Sequence, residues 1–518
     1  MVDETSAPSR NLAQKIGLFL GPGLFLIVIL FFDLEPGKPI VTRMAAVAVL
    51  MAVWWITDAI PLFATALLPM ILYPLLGILS TKATAPIYVN STIFLFLGGF
   101  IIALTMEHWN LHKRIALVII RVIGGGPSRI VLGFMVAAAF LSMWISNTAT
   151  AIMMLPIGMA IIVKMESEFG VEETHKLTLG LMLGIAYACS VGGMATLVGT
   201  PPNLALMRIF SIAFPKAPPI AFGTWFFMAL PLSAILVAVI WAILTKTLYR
   251  VPAHITIDKS IVDKEYKGLG SMSFEERTVL LIFSLTAVLW VFRKDLVLGF
   301  VTIPGWSNLI PYPDLIDDGT VALVMAMLVF FIPTRSPDAD TPTLMAGEKI
   351  VDNLPWGIVI LFGGGFALAK GFQSTGLSTL IGQNFAGIGQ LHPIVMVLII
   401  AATMTFLTEV TSNTATTQMV LPILASVAVD IQLNPLLLMI PATLSASCAF
   451  MMPIATPPNA IVFGSGRIKI AEMAKTGLLI NLIGIIMITL LYFVGPAIFG
   501  IDANVFPEWA QQMASGSK

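Results

Sequence analysis

Apolar runs of about twenty residues, separated by short polar breaks, follow one another along almost the whole chain. A helix rises 1.5 Å per residue and needs about 20 residues to cross a bilayer. The pattern therefore predicts spans near residues 16–33, 40–56, 58–80, 91–107, 177–214, 220–248, 276–293, 318–333, 355–372, 434–465 and 471–499. Two of these are long and interrupted, at Thr200-Pro201-Pro202-Asn203 and at Thr456-Pro457-Pro458-Asn459. Two further apolar segments, around 128–163 and 393–430, are broken in the middle by Ser-Asn-Thr. Each is too long for one helix, so each is either a pair of spans or a hairpin that enters and leaves on one side.

The second half of the pattern repeats the first. Leu95-Phe96-Leu97-Gly98-Gly99-Phe100 recurs as Leu361-Phe362-Gly363-Gly364-Gly365-Phe366, 266 residues later. SNTATAIMMLPI from Ser146 recurs as SNTATTQMVLPI from Ser412, again 266 residues on, with nine of twelve positions identical. TPPN at 200–203 recurs at 456–459, an offset of 256. Five spans, an odd number, separate the two Ser-Asn-Thr copies, so the second unit is inverted relative to the first. Inverted repeats with broken helices near the midplane are an architecture of secondary transporters.

Composition supports this class. Of the 518 residues, 58% are hydrophobic and 11% charged, and mean hydropathy is +0.94, too little charge to cover a soluble domain of this length. The 28 basic and 28 acidic residues balance and form no basic stripe, so a nucleic-acid partner is not expected. Cys189 and Cys448 both lie in apolar stretches and read as small core residues. The N-terminal stretch leads into Ile16–Phe32 without a small-residue cleavage site and reads as a first span rather than a removed signal peptide. Basic residues cluster at 111–129, 249–277 and 466–475, which puts these loops on the side of the N-terminus by the positive-inside rule. Eleven spans then leave the C-terminus on the opposite side. Counting each broken segment as two spans changes none of this, because each adds an even number of crossings.

The repeated polar motifs carry the candidate chemistry. Ser, Thr and Asn are good N-caps, so helices are expected to begin at each Ser-Asn-Thr, presenting free N–H groups and the positive end of the helix dipole. With the side-chain donors of Ser146, Asn147, Thr148, Ser412, Asn413 and Thr414, and the breaks at Thr200, Pro201, Thr456 and Pro457, two facing clusters suit an anion without lysine or arginine. Two clusters suit a substrate with two negative ends. A Na⁺ site can sit beside each, because unwound carbonyls and hydroxyl oxygens coordinate hard cations. Ser142 and its mate Thr408, one turn before each motif, and the carbonyls of Gly199 and Ala455 are candidates. The plainer account, small polar residues bonding neighbouring helices, fits one motif better than a repeated, inverted pair. For the glycine runs, close helix packing is the better account. Glu409 adjoins the second motif, where a carboxylate is costly unless paired. Its repeat counterpart is Met143, so it stands outside the symmetric core. No HExxH or Asp-rich pair supports an embedded enzyme, and a channel would need no occluded site.

These motifs, with ITDAIPLFATALLP at 56–69, resemble the divalent anion:sodium symporter (DASS) family over nearly the whole chain; Asp58 stands where that family often carries glutamate. The resemblance implies a homodimer with a scaffold and a mobile transport domain, an elevator-like movement, and Ser-Asn-Thr at the tips of two re-entrant hairpins beside about eleven transmembrane helices. On that reading residues 1–123 are scaffold and first interfacial helix, and 124–248 the first transport half. Residues 249–390 are loop, scaffold and second interfacial helix, and 391–518 the second transport half. Asn147, Thr148, Asn413 and Thr414 match positions that bind substrate carboxylates. Ser142, Ser146, Asn147 and Gly199 match one Na⁺ site; Thr408, Ser412, Asn413 and Ala455 match the other. Stretches 111–122 and 377–388 resemble interfacial helices. The implied substrates are C4-dicarboxylates such as succinate, malate and fumarate, with Na⁺ symport in a bacterial plasma membrane, N-terminus cytoplasmic. Dicarboxylate exchange, citrate and sulfate are the alternatives.

Overall fold

The computed structural model describes residues 10–250, 260–297, 302–337, 339–384, 391–499 and 505–515. They are nearly all helical; Leu296–Val297 and Thr302–Ile303 form a two-residue antiparallel ladder. Eight helices among the described residues are long and apolar enough to cross a membrane: Leu12–Phe31, Pro39–Thr57, Thr81–His108, Asn147–Phe169, Val171–Gly193, Phe222–Leu248, Trp356–Thr375 and Ile470–Phe493. Shorter apolar helices include Leu62–Leu76, Pro127–Ser142, Asp318–Phe331, Pro393–Thr408 and Leu436–Ser445. Leu12, Phe19, Leu30 and Phe31 of the first helix point outwards, as a lipid-facing surface requires.

Most expected spans are found within a few residues of their sequence bounds. The stretch 58–80 differs. It is broken into short helices Leu62–Thr65 and Leu68–Leu76, after Asp58 turns the chain in a left-handed conformation at φ 48°. Pro61 and Pro69 lack the N–H groups that one continuous helix would need. The basic helix Leu111–Ile123 is present, but its cations meet protein rather than standing free. Arg114 is buried and donates to both oxygens of Glu276 (2.7 and 3.0 Å) and to the carbonyls of Gly270 and Leu269. Lys113 pairs with Glu265 and Arg121 with Asp263. Of its mate 377–388, Leu377–Asn384 is helical; residues 385–388 lie outside the described residues.

The repeat is inverted in space. Helix Ser91–His108 ends where the side chain of Trp109 donates to the carbonyl of Leu344 (2.7 Å) and His108 lies 3.4 Å from Asp340. The chain leaves this same end, through Gly347–Asn353, to begin Trp356–Thr375. The two LFxGGF helices thus run in opposite directions. Their glycines allow close approach: a Cβ on Gly98 would stand 2.6 Å from the Cβ of Ala322, and one on Gly364 would stand 2.5 Å from the Cβ of Ala66. Ala66 and Ala322 are 256 residues apart, the offset of the TPPN copies. Each glycine helix therefore packs on the partner element of the other repeat.

The broken segments interlock in the same crossed way. Pro201–Ala213, the second half of the first broken helix, packs on Asn413–Asp430; Pro457–Phe463 packs on Asn147–Phe169. This crossing carries the Ser-Asn-Thr segment of one repeat to the TPPN break of the other.

Candidate functional site

Each Ser-Asn-Thr segment is the turn of a helix–turn–helix. Pro127–Ser142 leads through the turn into Asn147–Phe169, and Pro393–Thr408 into Asn413–Asp430. Ser146 and Ser412 are the N-caps, both with extended ψ, and the Ser412 hydroxyl accepts from the N–H of Ala415 (3.4 Å). The helices begin at the motif because a short side-chain oxygen can replace the missing carbonyl partner of the first-turn N–H groups. At the breaks, Thr200 and Thr456 are N-caps in extended conformation, followed by prolines whose missing N–H costs nothing at a helix start.

These four helix starts meet at one cavity of about 520 Å³. Its walls include every residue expected at the anion site: Ser146, Asn147, Thr148, Thr200, Pro201, Ser412, Asn413, Thr414, Thr456 and Pro457. No lysine or arginine is among the described lining residues, and Asp58 is the charged side chain there. The groups on these walls that can face an anion are therefore helix N-termini and polar N–H and O–H groups. Asp58, Leu62, Pro355 and Ile358, at or near helix ends, form one rim of this lining. This end is also the one at which the first described helix, Leu12–Phe31, begins, since the Trp54 indole donates to the carbonyl of Gly17.

The expected cation ligands lie at and just behind the turns. Ser142 and Thr408 are fully buried and off the cavity wall. In the first repeat, a Cβ on Gly193 would stand 2.9 Å from both Asn147 Oδ1 and the carbonyl oxygen of Gly199. One on Gly199 would stand 2.6 Å from the carbonyl of Gly193 and 3.0 Å from that of Ser142. Oxygens thus converge on the space that glycine leaves open. Ser142 Oγ and Asn147 Oδ1 are buried without a hydrogen-bond partner, so a hard cation fits this donor set. In the second repeat Asn413 Oδ1 is likewise buried and unpartnered. The Thr408 hydroxyl donates to the carbonyl of Thr405 and keeps its lone pairs free.

The two turns are tied down differently. At the first, the hydroxyl of Thr196 donates to the carbonyl of Met143 and accepts the N–H of Gly199 (3.0 Å). At the second, the buried Glu409 carboxylate accepts the N–H groups of Phe450, Met451 and Met452 at 2.7–3.1 Å and the side-chain amide of Asn481 at 2.7 Å. The partner that Glu409 requires is thus the unwound backbone of the broken helix, whose N–H groups have no helical acceptor.

Several contributors lay outside the sequence reading. Asn203 and Asn459, the last residues of the TPPN copies, donate across the breaks to the carbonyls of Gly193 and Thr196, and of Ala449 and Met452. Their repetition was visible, but their bridging role depends on where the chain unwinds. Ser190 and Ser447 line the cavity with hydroxyls that have no partner, and nothing in their local sequence marks them.

A polytopic helical protein whose inverted repeats bring two hairpin turns and two broken helices to one anion-suited cavity has the architecture of a secondary transporter. Residues 20–499 match the family described as the sodium:sulfate symporter transmembrane region, and the chain belongs to that family of multi-pass membrane transporters. It is 41% identical over 502 residues to the sodium-dependent dicarboxylate transporter SdcS of Staphylococcus saprophyticus, covering 96% of this chain and 94% of that protein. It is 42% identical over 503 residues to SdcS of Staphylococcus aureus, covering 95% and 93%. These findings agree with the family resemblance of the motifs. Among solved structures, the fold is similar to MtrF of Neisseria gonorrhoeae (TM-score 0.56, 12% identity, 92% of this chain and 98% of that one). It is also similar to YdaH of Alcanivorax borkumensis (TM-score 0.51, 12% identity, 87% and 98%). At such identity the likeness is one of fold alone.

Proposed function

We propose that this chain is a Na⁺-coupled symporter of C4-dicarboxylates such as succinate, malate and fumarate, acting in a bacterial plasma membrane with its N-terminus cytoplasmic. The observation that carries the reading is the meeting of two Ser-Asn-Thr turns and two TPPN breaks around one cavity without a lysine or arginine on its described walls. A dianion with separated charges can place one carboxylate at each turn. The 41–42% identical relatives are sodium-dependent dicarboxylate transporters by name, which supports the substrate class and the ion.

Asn147 and Asn413 give the coupling a physical basis. Each amide has an oxygen to offer a cation and N–H groups to offer an anion. Na⁺ held by Asn147 Oδ1 with the carbonyls of Gly193 and Gly199 turns the Nδ2 hydrogens away from the ion. Asn413 Oδ1, with Thr408, Ser412 and Ala455, does the same in the second repeat. Bound Na⁺ also adds positive charge beside the anion. Each ligand therefore strengthens binding of the other, which is the reciprocal coupling a symporter needs.

In this reading the turns are re-entrant hairpin tips. Residues 124–248 and 391–518 form the moving transport halves, residues 1–123 and 249–390 the scaffold and interfacial helices of a homodimer, and the motion is elevator-like. The rim at Asp58 and Pro355 then opens to the cytoplasm. The test is uptake of radiolabelled succinate into proteoliposomes under an inward Na⁺ gradient compared with K⁺. Uptake that needs Na⁺ supports the proposal; uptake that ignores Na⁺ and needs internal dicarboxylate makes the protein an exchanger. Sulfate, named in the family description, and citrate are the substrates to try if succinate is not carried.

A further inference from the structure

We propose that a second cavity, at the opposite end of the molecule from the Asp58 rim, is a staging site for carboxylate anions, with Arg208 as its charged ligand. This deepens the dicarboxylate reading and rests on it. The cavity measures about 340 Å³ and lies between the C-terminal half of helix Pro201–Ala213, the loop that follows it, and the starts of helices Ser91–His108 and Asp318–Phe331. Asp318–Phe331 leads at its other end into the loop that contacts His108 and Trp109, so this cavity and the Pro355 rim lie at opposite ends.

Of the four charges on these walls, Arg293 and Asp318 pair with each other, while Asp317 and Arg208 have no ion pair among the described residues. Arg293 donates to Asp318 and to the carbonyl of Ile316, and the second Asp318 oxygen accepts the N–H of Phe222. Asp317 caps its helix, accepting the N–H and hydroxyl of Thr320. Arg208 is half-buried, its Nε is buried without an acceptor, and its guanidinium makes a long 3.4 Å bond to the Ser211 hydroxyl. No ion pair of Arg208 occurs among the described residues. A guanidinium withdrawn from water without a carboxylate is costly, and its planar fork of N–H groups matches a carboxylate in two-point contact. Ser91, Thr92 and Ser211 add hydroxyls on the same walls.

The placement fits a relay to the central site. One helix borders both cavities: Pro201 and Pro202 face the central one, and Arg208 the second. Seven residues separate Pro201 from Arg208, about 10 Å along the axis. An anion at Arg208 thus waits two turns from the site it is to occupy when the transporter opens to that side.

The test measures KM and kcat for succinate in sided membrane vesicles. Arg208→Gln is expected to raise KM about fivefold at the face onto which the second cavity opens, while kcat changes less and Arg208→Lys stays near wild type. Asp317→Asn is expected to lower KM by removing a neighbouring negative charge. An unchanged KM in Arg208→Gln, or a rise in Asp317→Asn that matches it, overturns the proposal, the latter by making Asp317 the partner of Arg208. A KM effect that needs anionic phospholipid, compared in proteoliposomes with and without phosphatidylglycerol, assigns the site to a lipid headgroup and overturns its role in substrate capture. In Arg208→Cys, succinate is expected to slow modification by a cationic methanethiosulfonate; the native Cys189 and Cys448 are buried. No protection overturns the site. Protection in a protein whose wild type carries no dicarboxylate would support the site and sink the transport reading alone.

Discussion

The rings of Phe96 and Phe362 meet edge to face, their centroids 5.5 Å apart and their planes at 82°. The two residues are 266 positions apart, the offset that relates the two LFxGGF segments and the two Ser-Asn-Thr turns. Equivalent residues of two repeats touch where the axis relating them passes, so this contact marks the pseudo-two-fold. Phe96 also lines the central cavity, which places that cavity close to the axis. A dianion with two like ends suits such a position.

Asn147→Ala and Asn413→Ala each remove an amide that, in the proposed site, serves both ligands. Each is expected to lower succinate uptake at least thirtyfold, the loss expected when a polar partner of a charged ligand is removed, with the folded protein still present in the membrane. Uptake assays, with the amount of monodisperse protein measured in parallel, check this; retained uptake by either variant would remove that asparagine from the site.

Asn203→Ala and Asn459→Ala leave the carbonyls at each break without their donor. The expected cost is about 1–3 kcal/mol per variant, read as a lower melting temperature in detergent. Because the bridges are equivalent, the two losses should be alike. A large drop in one and none in the other would show that the breaks are held differently.

Glu409→Gln keeps the size of the side chain but turns an N–H₂ group towards backbone N–H donors. It is expected to destabilise the second turn by about 2–4 kcal/mol and to lower transport. Thermal unfolding beside Met143→Gln, its repeat mate, provides the comparison, since Met143 makes its contact through a backbone carbonyl and should tolerate the change.

Arg114→Met strands the buried Glu276 carboxylate without its cation. Loss of one partner of a buried pair costs about 3–5 kcal/mol, enough to release helix Leu111–Ile123 from the 260–276 segment. Limited proteolysis of the loop should become faster in this variant; Arg114→Met with Glu276→Leu should recover much of the protection, and failure to do so would point to the Gly270 and Leu269 carbonyl contacts instead.

Gly364→Leu puts a branched side chain where even a Cβ would stand 2.5 Å from Ala66. Overpacking of this kind costs about 1–3 kcal/mol or more, and the yield of folded protein should fall. Gly23→Leu, at a glycine with nothing within 4 Å of an added Cβ, should leave the yield unchanged.

Much of this molecule was determined by its sequence alone. A spanning segment is a local property, because a run of apolar residues must hide its backbone polar groups in its own helix whatever surrounds it. The spans and the helix breaks at Pro201 and Pro457 follow from that, and the two offsets of 266 and 256 reveal the repeat. The residues around the central cavity were legible because Ser-Asn-Thr and TPPN are helix-start motifs placed where no helix should start. Tertiary structure decided which groups meet. The acceptor role of Glu409 depends on N–H groups 41 to 43 residues away and on Asn481, 72 residues away. Asp58 and Pro69 turn the stretch 58–80 into two short helices where hydropathy alone gives one span. Arg208 looks like any charge on a helix until the second cavity is seen. Such contacts depend on how helices of opposite direction cross and close, and composition along the chain carries no record of that.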